Sequence, residues 1–220
     1  MSFDLAAAIP KLAMFFPAFL FALCFHEYAH GWMAKKFGDD TAEAMGRLTM
    51  NPVAHADIIG TIVLPIFAIV TGAPLFGWAK PVPVNPRNLK NPRTDMFWVA
   101  FAGPLSNVLL AVVGAVIMVV GVGYIDSPET QKTFMRFFDI FIFFNILLAI
   151  FNMIPLHPLD GGKVLQRFIP DSWNRSLEAN QGVLQMVLLV FFIGGGFQYL
   201  AAPIQFMQSS LMRGVIGLFH

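Results

Sequence analysis

The stretch Leu12-Ala13-Met14-Phe15-Phe16-Pro17-Ala18-Phe19-Leu20-Phe21-Ala22-Leu23-Cys24-Phe25 runs without a charge into His26-Glu27-Tyr28-Ala29-His30. An uncharged apolar run of this kind predicts a helix in lipid or in a deep core. On a helix, His26 and His30 stand one turn apart on one face, with Glu27 beside them. Two imidazoles at that spacing bind zinc, and the neighbouring carboxylate can hold the proton of an activated water. The competing reading is a pair of hydrogen-bonded core histidines. Ionisable groups at membrane depth are costly without a partner or an ion, which favours the metal.

Composition sets the surroundings. The chain has 220 residues, of which 57% are hydrophobic and 12% charged, and its mean hydropathy is +0.67. An average globular chain is about one quarter charged, so half that charge with long apolar stretches predicts an integral membrane protein. A net charge of +1 supplies no field to recruit nucleic acid. Cys24 is the only cysteine, which excludes an intrachain disulfide. No basic residue precedes Lys11 and the first apolar stretch leads into the histidines, so it reads as a retained helix rather than a cleaved leader. Without linkers or repeats, residues 1–220 are expected to form a single membrane-embedded domain.

Apolar segments run from about Leu5 to Lys35, Ile58 to Trp78, Phe97 to Tyr124, Phe134 to Pro155 and Val183 to Phe206, the last broken by Gly194-Gly195-Gly196. A span needs roughly 20 apolar residues, so each is long enough. A second polar cluster, Asn152-Met153-Ile154-Pro155-Leu156-His157-Pro158-Leu159-Asp160-Gly161, ends the fourth segment as the histidines end the first. The clusters can meet only if those segments run parallel, which requires an odd number of crossings between them. The second segment contains Gly60, Pro65, Gly72 and Pro74, and irregular backbone is tolerated where protein covers it. It is therefore expected to be re-entrant. The expected fold is an all-α polytopic membrane protein: about four spanning helices plus a re-entrant segment, with small extended or β elements near the active site.

Basic residues agree with that topology. Lys35, Lys36, Arg47, Lys80, Arg87, Lys90, Arg93, Lys163, Arg167 and Arg175 fall on the histidine side; Lys11, Lys132, Arg136 and Arg213 fall on the other. The bias turns the histidine side toward the cytoplasm of a cell (inner) membrane. A full fifth span, with the polar clusters apart, is the alternative.

Catalytic zinc takes three protein ligands and keeps one position open. Beyond His26 and His30, the candidates are His55, Asp57, Asp139, His157 and Asp160. Asp139 starts the fourth segment, at the opposite interface. Asp160 follows a proline break and precedes Gly161-Gly162, which permits a tight turn that aims a carboxylate inward. It reads equally well as the N-cap of a following helix.

The paired motifs, His26-Glu27-x-x-His30 and Asn152-x-x-Pro155-x-x-Pro158-Leu159-Asp160-Gly161, resemble the site-2 protease family of intramembrane zinc metalloproteases. Between them, Gly46-Arg47-Leu48-Thr49-Met50-Asn51-Pro52, Gly77-Trp78-Ala79-Lys80-Pro81-Val82-Pro83-Val84-Asn85-Pro86 and Gly103-Pro104-Leu105-Ser106-Asn107 match as well. The resemblance covers about residues 20–165. It implies one zinc per chain held by His26, His30 and Asp160, Glu27 as catalytic base, and Asn152 near the zinc, holding substrate or oxyanion. It also implies transmembrane proteins as substrates and the lipid bilayer as surroundings. Many members carry PDZ or CBS modules; this sequence resembles the compact ones without them.

Arg47-Leu48-Thr49-Met50 reads as a short strand, and Trp78–Pro86 as extended edge backbone. Either can present an unwound substrate by strand addition; the proline-rich stretch can equally touch lipid phosphates. His55 and Asp57 read as a supporting pair or a loop cap, His157 as a turn residue, and Asn107 and Asn145 as packing groups, bonds across helices or the lining of a water path. Cys24 reads as a buried small apolar residue. A membrane transporter or metal sensor using the same cluster without hydrolysis is the alternative function. Glu27 argues against it, because binding alone needs no base.

Overall fold

The computed structural model describes residues 5–71 and 77–219. Its helices are α1 (Leu5–Lys36), α2 (Thr41–Ala44), α3 (Pro52–His55), α4 (Leu64–Thr71), α5 (Pro92–Gly121), α6 (Pro128–Asn152), α7 (Asp160–Gln166), α8 (Asp171–Ala179), α9 (Gln181–Phe191) and α10 (Gln198–Phe219). Their starts reflect chain chemistry. Pro92 and Pro128 occupy first-turn positions of α5 and α6, where a missing N–H costs nothing, and the Ser127 side chain accepts the Thr130 N–H.

Three helical stretches are long and apolar enough to cross a membrane: Leu12–Lys36, Pro92–Tyr124 and Pro128–Asn152, of 25, 33 and 25 residues. This makes the chain an integral membrane protein. The expected count of about four is not met among the described residues. The fifth apolar segment breaks into α9 and α10 around Gly195, whose φ of 95° suits glycine. Gln198, Gln205, Gln208 and Arg213 dilute the apolar character of α10.

The three long helices alternate in direction. His30, His26 and Ala22 of α1 bond Val99 and Asn107 of α5 in reverse order. Gly121 and Gly114 of α5 abut Phe134 and Phe141 of α6, also in reverse order. So α1 and α6 run parallel, and their C-terminal ends share one side. One core joins Phe15, Ala18, Phe19, Ala22 and Leu23 to Phe141, Phe144 and Leu148. Another joins Ala111 and Ala115 to Ile142, Ile146, Ile204 and Val215. Fully buried alanines at both seams let helix backbones approach closely, which is how helices associate in lipid.

The second apolar segment has its two ends side by side. It enters as a π-helical turn, Ile58–Val63, and continues as α4. Gly72 and Pro74 lie outside the described residues. At its far end Trp78 N–H donates to Gly60 C=O at 3.1 Å and Trp78 C=O accepts from Thr61 Oγ1 at 2.7 Å, so entry and exit lie together. Among the described residues there is no strand, which corrects the expected β elements. Residues 77–85 form no regular structure, and Pro81 and Pro83 lack the N–H groups a ladder needs. Side chains and loop carbonyls take the remaining bonds: Lys80 N–H goes to His55 C=O, while Lys80 and Pro81 C=O accept from Arg47. Leu48–Met50 bend instead of extending.

Candidate metal centre

α1 carries His26 and His30 on the face toward α5, and both rings are buried. Each ring is held from behind. His26 Nδ1 lies 2.7 Å from Asn107 Oδ1, and His30 Nδ1 lies 2.7 Å from Val99 C=O. The Asn107 amide nitrogen donates to Ala22 C=O and Asn145 Oδ1 at 3.1 and 2.9 Å, so the oxygen is the atom facing His26. Both partners of the Nδ1 atoms are acceptors, so both Nδ1 atoms carry the proton. Both Nε2 atoms therefore present lone pairs.

Asp160 closes the site from the other end of the chain. The cis bond between His157 and Pro158 lies in the turn that leads from α6 to α7. α7 starts at Asp160, whose side chain caps nothing; the N-cap position belongs to Leu159. A Cβ at Gly161 would fall 2.4 Å from Met153 C=O, so only glycine lets α7 fold back on this turn. Arg93 pins the far side, donating to Asp171 and to the Arg167 and Ile169 carbonyls. The result places Asp160 Oδ2 3.1 Å from His26 Nε2 and 3.2 Å from His30 Nε2, with the two Nε2 atoms 3.0 Å apart.

Three acceptor atoms at these separations need positive charge between them. Asp160 Oδ2 is buried and has no hydrogen-bond partner despite its short contacts. A proton serves two of the three atoms; a divalent ion serves all three. Tetrahedral zinc with bonds near 2.0–2.1 Å spaces its ligands by roughly 3.3 Å, close to the triangle observed. His26, His30 and Asp160 thus fit one zinc ion.

Glu27 sits next to this triad, half-buried, and its Oε2 accepts the Val82 N–H at 2.7 Å. Val82 therefore lies against α1 at Glu27 and Gly31, a contact no sequence pattern marks because it rests on a backbone amide. Asn152 ends α6 with its amide donating to Leu148 C=O at 3.0 Å. The other ligand candidates are engaged elsewhere. Asp57 caps the π turn through Ile59 and Gly60 N–H, Asp139 accepts from Gln208, His157 pairs with Gln166, and His55 bonds Thr49 C=O. Cys24 is buried. Asn107 bonds across helices, to His26 and Ala22 of α1 and Asn145 of α6, and so backs a ring of the triad. Its signal was a polar residue inside the Gly103-Pro104-Leu105-Ser106-Asn107 match.

Comparison with known proteins agrees with this geometry. The model of peptidase family M50 matches residues 14–127 and 119–194. "Putative zinc metalloprotease YwhC" of Bacillus subtilis is 40% identical over 172 residues, 76% of this chain and 74% of that protein. "Putative zinc metalloprotease Rip2" of Mycolicibacterium smegmatis is 27% identical over 173 residues, covering 78% of this chain and 64% of that protein. "Putative zinc metalloprotease MJ0611" of Methanocaldococcus jannaschii is 38% identical over 85 residues, 39% and 38% of the two chains. No solved structure matches.

Proposed function

The chain belongs to peptidase family M50 and is a zinc metalloprotease, and we propose that it hydrolyses peptide bonds of transmembrane-helix substrates with Glu27 as general base. The observation that carries this is the buried triangle of acceptor atoms on His26, His30 and Asp160, with a carboxylate one residue from the first histidine. Zinc bound there supplies Lewis acidity, which acidifies a water and polarises the scissile carbonyl. Glu27 takes the proton as the water oxygen attacks the carbonyl carbon. It returns that proton to the nitrogen as the C–N bond breaks. Its bond to Val82 N–H fixes the carboxylate during both transfers. The Asn152 amide, released from Leu148, donates to the oxygen on which negative charge develops.

A substrate helix hides its carbonyls in its own hydrogen bonds, so it must unwind locally. Residues 77–85, held beside Glu27 by the Val82 N–H, are the stretch along which the unwound segment would lie. Ten basic residues favour the side on which the first and fourth segments end, which turns the site toward the cytoplasm of the cell membrane. The test is proteomic: membranes containing wild type are compared with membranes containing Glu27→Gln. Single-span proteins that accumulate uncut with the variant are the substrates. Identical profiles from two zinc-loaded proteins would refute the proteolytic reading.

A further inference from the structure

We propose that Asn107 and Asn145 are positioning residues for the metal: a buried amide relay that locks His26 in the tautomer able to bind it. The inference rests on the assignment of His26, His30 and Asp160 as a zinc site. Both asparagines are fully buried in the apolar bundle, Asn107 on α5 and Asn145 on α6. An amide can present oxygen or NH2 to a neighbour, and here the choice is made by its other contacts. Asn107 Nδ2 meets two acceptors, Ala22 C=O on α1 and Asn145 Oδ1 on α6. Asn145 is turned in the same sense, because its own Nδ2 donates to Phe141 C=O at 2.9 Å.

The relay thus runs Phe141, Asn145, Asn107, His26, and each step fixes the next. Asn107 Oδ1 must face His26 Nδ1, which keeps the proton on Nδ1 and the lone pair on Nε2. Were the Asn107 amide reversed, its NH2 would face Nδ1. The His26 proton would then move to Nε2, pointing into the metal position. A residue on α6 that touches no ligand therefore controls affinity through α5, and zinc loading is coupled to the docking of three helices.

The test is zinc affinity of the full chain in detergent micelles, by competition with a chromogenic chelator. Asn107→Leu is expected to weaken binding about 10–100-fold, the usual effect of losing a partner behind a metal-bound histidine. Asn145→Leu, which leaves His26 and its immediate partner untouched, is expected to weaken it several-fold by freeing the Asn107 amide. Asn145→Asp keeps an oxygen acceptor for the Asn107 amide nitrogen and should retain near-wild-type affinity, which a packing role for the amide would not predict. Wild-type affinity in either leucine variant overturns the proposal, and so does a loss in Asn145→Asp equal to that in Asn145→Leu. If Asn107→Leu loses its helical circular dichroism, Asn145→Leu and Asn145→Asp decide by the same criteria. Asp160→Ala measured alongside separates the two readings. Unchanged zinc affinity there removes the metal centre itself, whereas weakened Asp160→Ala with unaffected leucine variants removes only the relay.

Discussion

Gly103 on α5 packs directly against His30 on α1: a Cβ at residue 103 would lie 2.4 Å from His30 Nε2 and 2.7 Å from His26 Cε1. The two rings converge on Asp160 because the facing helix has no side chain at that level. Gly103→Ala should drive the rings apart or part the helices, at a cost of about 1–3 kcal/mol for overpacking. Zinc retained after dialysis should fall, together with the thermal midpoint in micelles. Full zinc content in a stable Gly103→Ala protein would contradict the contact.

Asp160→Ala removes the only carboxylate of the triangle and leaves two neutral imidazoles. Purified wild type is expected to hold one zinc per chain, and the variant well under half of that at the same free zinc. Elemental analysis of both proteins checks this. Asp139→Ala, at a carboxylate bonded to Gln208, should leave zinc content at the wild-type level.

Glu27→Gln keeps an oxygen for the Val82 N–H but cannot take a proton from water. Cleavage of a single-span substrate in detergent should fall about 10²–10⁴-fold, with zinc content unchanged on the same sample. Near-normal cleavage would assign the proton transfer to another group.

Asp39 anchors the loop after α1. It is fully buried and accepts from Thr41 N–H, the Thr41 hydroxyl, Asn85 N–H and Asn88 Nδ2. Burial acts to raise its carboxyl, and those donors outweigh burial and hold it below the usual range. A depressed folded value means that its contribution is complete above the unfolded value of about 3.9 and is lost as pH falls below it, through the folded value. Asp39→Ala should destabilise the protein by roughly 2–4 kcal/mol at neutral pH, since several buried donors lose their partner. The gap to wild type should narrow below about pH 4. Thermal unfolding in micelles at neutral and acidic pH measures both effects.

Asp40 and Lys90 should lie on one side of the membrane. Asp39 bonds Asn85 and Asn88, and Lys90 N–H donates to Phe37 C=O, so the two loops are joined. Cysteines at positions 40 and 90 in a Cys24→Ala background should react with a membrane-impermeant reagent from the same side. Labelling from opposite sides would show that Ile58–Trp78 spans.

Much of this molecule was legible in the chain alone because apolar runs and one-turn spacing are local properties. Leu12–Phe25 declares a membrane helix, and His26 and His30 must share a face of it whatever surrounds them. Crossing parity predicts that residues 58–78 turn back, and Trp78 bonded to Gly60 sets the two ends of that stretch together. Local pattern overcounted spans, because Gly195 breaks the last segment and glutamines dilute its continuation. It also promised a strand at Arg47–Met50, where the chain bends, and edge backbone at Trp78–Pro86, where prolines remove ladder donors. What only the tertiary structure decided lies between helices. Asp160 reads equally as cap or ligand in sequence, and becomes part of the triangle because α7 packs against α5 and sets its first residue against the α1 histidines. The Val82 amide on Glu27, the Val99 carbonyl behind His30 and the Asn145–Asn107 relay behind His26 join residues 38 to 81 positions apart. Their partners are chosen by helix packing, which no local pattern encodes.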